Sequence, residues 1–138
     1  MNRIIEVKEI DSYQLSSKYP NNSNYRYDGY MVDTEDSIIL VLINNVNLCC
    51  ENWGILTSDD NLGEYTGAII NDIAVVDKAL NETIVKDLSL DEGEAIFVNF
   101  NTNKGILQLG VYNAHNGYYG HAVKIIQAKK EILHDGYL

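Results

Sequence analysis

The chain has 138 residues, of which 46% are hydrophobic and 22% charged, and this balance excludes an intrinsically disordered chain. Its net charge of −10 disfavours direct binding to nucleic acid, because an acidic surface repels phosphate. The longest apolar run, Ile38 to Ile43, is too short to cross a bilayer, and the N-terminus has no apolar signal region. We therefore expect one domain, residues 1–138, in the cytoplasm, with reduced cysteines and no membrane partner.

The first half of the chain predicts β-strands joined by polar turns. Residues 4–13 predict a strand or a short helix, and the polar stretch around Pro20 predicts a loop. Alternating aromatic residues at 25–32 and a β-branched run at 38–43 predict two strands with a turn between them.

The middle of the chain predicts one short helix. Asp59, Asp60 or Asn61 can cap its beginning, and Gly67 can supply the left-handed residue after its end. The acidic residues gather at the N-terminal end, where the helix dipole favours them.

The remaining segments predict more sheet. Residues 68–76 read as a strand, residues 78–94 as a loop with a helical turn, and residues 95–112 as a hairpin that turns at 101–104. The predicted fold class is α+β, with a mainly antiparallel twisted β-sheet and one or two short helices.

A second hairpin is predicted at Asn116-Gly117, because this dipeptide favours a two-residue type I′ turn. If these two residues alone form the loop, His115 opposes Tyr118 and Tyr112 opposes His121, whereas a bulge would change this register. The aromatic and histidine side chains of one face would then be Tyr112, Tyr119 and His121.

The adjacent pair Cys49-Cys50 is the most unusual local string. Metal sites usually space cysteines two to four residues apart, and neighbours on a strand point to opposite faces. We therefore expect buried reduced cysteines and no metal or cofactor. A thiolate–imidazolium pair of Cys50 with His121 would be the arrangement for a hydrolase, but no third group or recognised spacing supports it.

The ten tyrosines of the chain are typical of a recognition surface. Tyrosine gives contact area at low entropic cost, although it is also simply a good strand residue. The candidate aromatic binding cluster consists of Trp53, Tyr112, His115, Asn116, Tyr118, Tyr119 and His121.

Acidic residues are concentrated in the middle of the chain. Residues 49–95 carry 2 basic and 11 acidic side chains, a net of −9, against −3 for residues 1–48 and +2 for residues 96–138. Such a region attracts a basic protein surface, although acidity also serves solubility alone. Asp59, Asp60 and Glu64 are the candidate contact residues of this acidic surface.

Four motifs carry a resemblance to a known group. They are Tyr27-Asp28-Gly29-Tyr30, the segment 44–54 around Cys49-Cys50-Glu51, residues 62–68, and residues 112–121 with Asn-Gly-Tyr-Tyr. In this order they resemble a family of short phage and prophage proteins known as a domain of unknown function. The resemblance covers about residues 25–127 and implies a phage setting and a small sheet domain, without implying an activity.

These observations favour a non-catalytic binding module of phage type that blocks a basic host protein through its acidic surface. The main alternative is a protein that binds and sequesters a nucleotide-like small molecule at the aromatic cluster. A hydrolase or metal protein using Cys50 and His121 ranks third, and exposed sheet edges make a homodimer reasonable.

Overall fold

The computed structural model describes residues 2–13, 26–45, 53–57, 61–76, 95–113, 122–127 and 131–137. Within these ranges the chain forms nine β-strands and one short 3-10 turn. The strands are β1 Asn2–Tyr13, β2 Tyr27–Thr34, β3 Ile38–Asn44, β4 Trp53–Thr57, β5 Ile69–Val76, β6 Ala95–Thr102, β7 Gly105–Asn113, β8 Ala122–Gln127 and β9 Glu131–Tyr137, and the 3-10 turn is Leu62–Tyr65.

The nine strands lie in one continuous sheet in the order β4-β7-β6-β5-β1-β2-β3-β8-β9, and every neighbouring pair is antiparallel. Strand β1 is the central strand. Its first residues, Asn2 and Arg3, pair with β5, whereas Ile4 to Tyr13 pair with β2. The sheet folds over at β1, because residues of β2 and β3 contact β4 and β7 across the interior.

The predicted α+β class is wrong, because the described residues are nearly all β-strand and contain no α-helix. The helix expected near residues 59–67 is a single 3-10 turn. Asn61 does cap it, accepting a hydrogen bond from Gly63 N, and Gly67 does adopt a positive φ of 86°. The segment stops after one turn because Thr66 is extended (ψ 126°) and Gly67 has a positive φ. Tyr65 at its end is buried, and its hydroxyl donates to the carbonyl of Ile106.

The predicted strands at 25–32 and 38–43 and the hairpin over residues 95–112 are confirmed as β2, β3, β6 and β7. Residues 4–13, predicted as either a strand or a short helix, form the strand β1. The residue range 68–76 is confirmed as β5. Strands β4 and β9 were not predicted; β4 is only five residues long and contains Gly54. The loop around Pro20 and the segment 78–94 lie outside the described residues.

The main core lies between the two halves of the sheet. It is built from aliphatic and aromatic side chains on the faces that meet: Ile4, Val7, Tyr30, Val32, Ile39, Val41, Ile43, Tyr65, Ala68, Ile70, Val98, Phe100, Leu107, Leu109, Val111, Val123 and Ile125. Burial of this apolar surface is the main favourable contribution to folding.

The burial of β3 on both of its faces explains why its sequence is apolar without interruption. Ile39, Val41 and Ile43 face the main core, while Leu40 and Leu42 belong to a second cluster on the opposite face. A strand that is buried on both faces loses the alternation of apolar and polar residues that a half-exposed strand shows.

Two glycines allow close approach of neighbouring groups. A Cβ atom at Gly110 would lie 2.5 Å from the Phe97 ring, which covers that glycine from the paired strand. A Cβ atom at Gly29 would collide with the carbonyl oxygen of Val41, and it would lie 2.8 Å from the carbonyl carbon of the same residue. The collision at Gly29 is with backbone, so a side-chain rotation cannot relieve it.

Replacing Gly29 by alanine should therefore destabilise the protein by about 1–3 kcal/mol, because β3 must shift away from β2. The measurement is the free energy of unfolding from urea denaturation. Gly63→Ala is the matched control, since its new Cβ would meet only the Asn61 side chain, at 3.2 Å. The control should change stability by no more than about 0.5 kcal/mol. Equal losses in both variants would contradict the close approach.

Candidate functional site

An open cleft of about 390 Å³ lies beside the last residues of β1, the start of β2 and the middle of β4. Three carboxylates and two isoleucines line it. These residues are Glu9, Ile10, Asp11, Asp28 and Ile55. We refer to this feature as the acidic cleft.

The strand register places two of the three carboxylates, Glu9 and Asp28, on the side of the sheet that faces the main core. Glu9 pairs with Tyr30 across β1 and β2, and Asp28 pairs with Ile43 across β2 and β3. Paired residues share a face, and both Tyr30 and Ile43 belong to the main core. The cleft is therefore the open end of the interior, where charged residues replace the apolar ones.

The pairing of β1 explains why the interior is open at this end. Only the first two described residues of β1 pair with β5. Ile4 still bonds through its backbone to Gly67 and Ala68 just before β5, and beyond Ile4 the described residues of β1 pair only with β2. The end of β1 and the facing strand β4 can therefore separate enough to leave the cleft.

Asp28 is held in place by a small polar network. Its Oδ1 atom accepts hydrogen bonds from Ser12 N (3.0 Å) and from Asn45 Nδ2 (3.1 Å), and Asn45 Nδ2 also lies 3.2 Å from Ser12 Oγ. Ser12 has a positive φ of 50° and lies in the irregular stretch between Ile10 and Tyr13. This irregular backbone directs the Ser12 amide toward the carboxylate.

Removing the Asp28 carboxylate should loosen the end of β1. We expect Asp28→Ala to lower the free energy of unfolding by about 1 kcal/mol, because the Ser12 amide and the Asn45 side chain lose their shared acceptor. Asp28→Asn keeps an oxygen that can accept both bonds, and it should retain most of the stability. Urea denaturation of both variants checks this, and an equal loss in Asp28→Asn would contradict the role of the network.

Tyr30 forms part of the core wall behind the cleft and is only 1% exposed. Burial, together with the nearby negative charge of Glu9, raises the pKa of its hydroxyl well above the ordinary value of 10.0. The phenol therefore stays protonated throughout the physiological range.

The raised pKa of Tyr30 predicts a loss of stability in alkali. Tyr30 ionises less readily in the folded state than in the unfolded chain. The stability that depends on its protonated hydroxyl is therefore complete below about pH 10, and it is lost as the pH rises toward the pKa of the folded state. The native protein should have a lower free energy of unfolding at about pH 11 than at about pH 8. In Tyr30→Phe this decrease should be smaller by about 1 kcal/mol.

The matched control for this pH measurement is Tyr13→Phe, because Tyr13 is 37% exposed. Urea denaturation at both pH values should give this variant the same alkaline loss as the native protein. Burial also raises the pKa of Tyr112, so part of the loss should persist in Tyr30→Phe. An unchanged alkaline loss in Tyr30→Phe would contradict the assignment to Tyr30.

No lysine or arginine lines the acidic cleft within the described residues. The ion pairs Arg3–Glu35 (Nε–Oε1 2.9 Å) and Lys8–Glu6 (Nζ–Oε1 3.5 Å) lie elsewhere. In the same part of the chain, no group of three or more His, Cys, Asp or Glu side chains is arranged to hold a metal ion. The described lining of the cleft therefore combines negatively charged side chains with two isoleucines.

The acidic surface predicted from the sequence is only partly within the described residues. Glu64 lies exposed on the 3-10 turn, whereas Asp59 and Asp60 are outside the described ranges. The turn is attached to the beginning of β1, where Gly67 N donates to the Ile4 carbonyl at 2.7 Å. The cleft is at the other end of β1, roughly 20 Å away at the rise of a β-strand. Glu64 and the cleft are therefore separate acidic features.

The aromatic cluster is divided by the sheet where the structure describes it. Trp53 pairs with Asn113 and packs against the main core, while Tyr112 pairs with Gly54 and has its ring over that glycine. Neighbouring residues of a strand point to opposite faces, so Trp53 and Tyr112 do not line one surface. The other proposed members, His115, Asn116, Tyr118, Tyr119 and His121, lie outside the described residues, as do Cys49 and Cys50.

The predicted pairing of Tyr112 with His121 is wrong. Tyr112 pairs with Gly54 on one side and with Ala95 on the other, so both of its edges are occupied. Strands β7 and β8 are not neighbours in the sheet; β8 pairs with β3 and β9 instead. The turn dipeptide Asn116-Gly117 itself is outside the described residues.

Sequence reasoning missed all three carboxylates of the acidic cleft. The sequence does indicate the orientation of Asp28, which lies two residues before the core residue Tyr30 and therefore faces the same side of the sheet. Glu9 lies two residues after the core residue Val7 on β1, and it also faces the core side of the sheet. A carboxylate at an inward position of a strand is unusual enough to mark an open end of a core.

The fold and the cleft define an all-β antiparallel domain with an acidic opening at one end of its core. The chain belongs to the family described as a domain of unknown function, DUF7448, which matches residues 1–125 and so includes every residue of the cleft. No curated protein and no solved structure matches the chain. Among the described residues, no helix has the length and apolar character needed to span a membrane.

Proposed function

We propose that this protein is a non-catalytic binding domain that receives basic side chains of a partner protein in the acidic cleft. The observation that carries the proposal is the grouping of Glu9, Asp11 and Asp28 around an opening with no lysine or arginine in its described lining. Ile10 and Ile55 supply apolar contact beside the carboxylates. An arginine or lysine matches this combination, because each carries a charged head on an aliphatic stem.

The polar network around Asp28 supports binding without rearrangement. Ser12 and Asn45 already hold one oxygen of this carboxylate, so its position is set before a partner arrives. A preorganised acceptor lowers the entropic cost of association. The net charge of −10 adds long-range attraction, which mainly accelerates the encounter with a basic surface.

The concrete form of the proposal is an inhibitor of phage or prophage origin that blocks a host defence protein in the host cytoplasm. Its resemblance to short phage proteins supports this setting, and its acidity supports a target with a basic groove for nucleic acid. Residues 49–95, with a net charge of −9, would extend the contact through Asp59, Asp60 and Glu64. Occupation of the groove alone would inhibit the target, so no reaction is required.

The described residues give no support to the nucleotide-sequestering alternative. Trp53 and Tyr112 were expected to line one pocket, and they lie on opposite faces of the sheet. We therefore do not advance this function, and we treat it as one outcome of the experiment below.

A short oligoarginine peptide is a direct probe of the cleft. We expect the native protein to bind it in a salt-dependent manner, as measured by calorimetry. Neutralising two carboxylates with Glu9→Gln and Asp11→Asn should weaken binding about five-fold, the effect of removing two partly exposed ion pairs. Both changes keep the size of the side chain.

The matched control is Asp72→Asn, which removes one exposed charge from β5, outside the cleft. It should weaken binding by less than about two-fold, because only the long-range field changes. A loss in Asp72→Asn as large as that in the cleft variant would show that net charge alone attracts the peptide. Failure of the native protein to bind oligoarginine better than an uncharged peptide of equal length would contradict the proposal.

Native mass spectrometry of the protein purified from its natural host separates the proposal from its alternative. A protein bound at fixed stoichiometry, and lost in the Glu9→Gln, Asp11→Asn variant, is the expected result. A small extra mass that disappears on unfolding would instead favour sequestration of a small molecule.

A further inference from the structure

We draw no further inference here: the strongest candidate, the cluster of Glu9, Asp11 and Asp28 in the cleft at the end of β1, belongs to the site already described.

Discussion

The backbone pairing of β1 with strands on both sides is the interaction on which the rest of this structure depends. Its first residues pair with β5, and the remainder pairs with β2, so one strand joins the two halves of the sheet. Two further hydrogen bonds, Ile4 N to Ala68 O and Gly67 N to Ile4 O, fix its beginning to the turn before β5. Ile4 and Val7 then bring this junction into the core that both halves share.

The short length of the β1–β5 pairing also creates the candidate site. Beyond Ile4, the described residues of β1 pair only with β2, and the core gives way to the carboxylates of Glu9, Asp11 and Asp28. Carboxylates with no cationic partner among the described residues would carry a large desolvation penalty if buried here, and an open cleft avoids that penalty. The same constraint thus accounts for both the fold and the position of the acidic cleft.

Much of the local structure could be predicted from the sequence, because β-branched and aromatic runs such as residues 38–43 mark strands directly. The helix predicted near residues 59–67 is wrong because the capping residue Asn61 and the left-handed Gly67 mark where a turn begins and ends, without determining its length. The Tyr112–His121 pairing failed because a favourable turn dipeptide does not determine which strands become neighbours. The cleft could not be predicted, since Glu9, Asp28 and Ile55 meet only through pairing between distant segments.

The most direct test of binding at the cleft is to map amide chemical shifts while an oligoarginine peptide is added. We expect saturable shifts centred on Glu9 to Asp11, Asp28 and Ile55, because these residues line the cleft. Shifts should be small at the 3-10 turn around Glu64, at the other end of β1. Saturable shifts centred on that turn, with none at the cleft, would contradict the account.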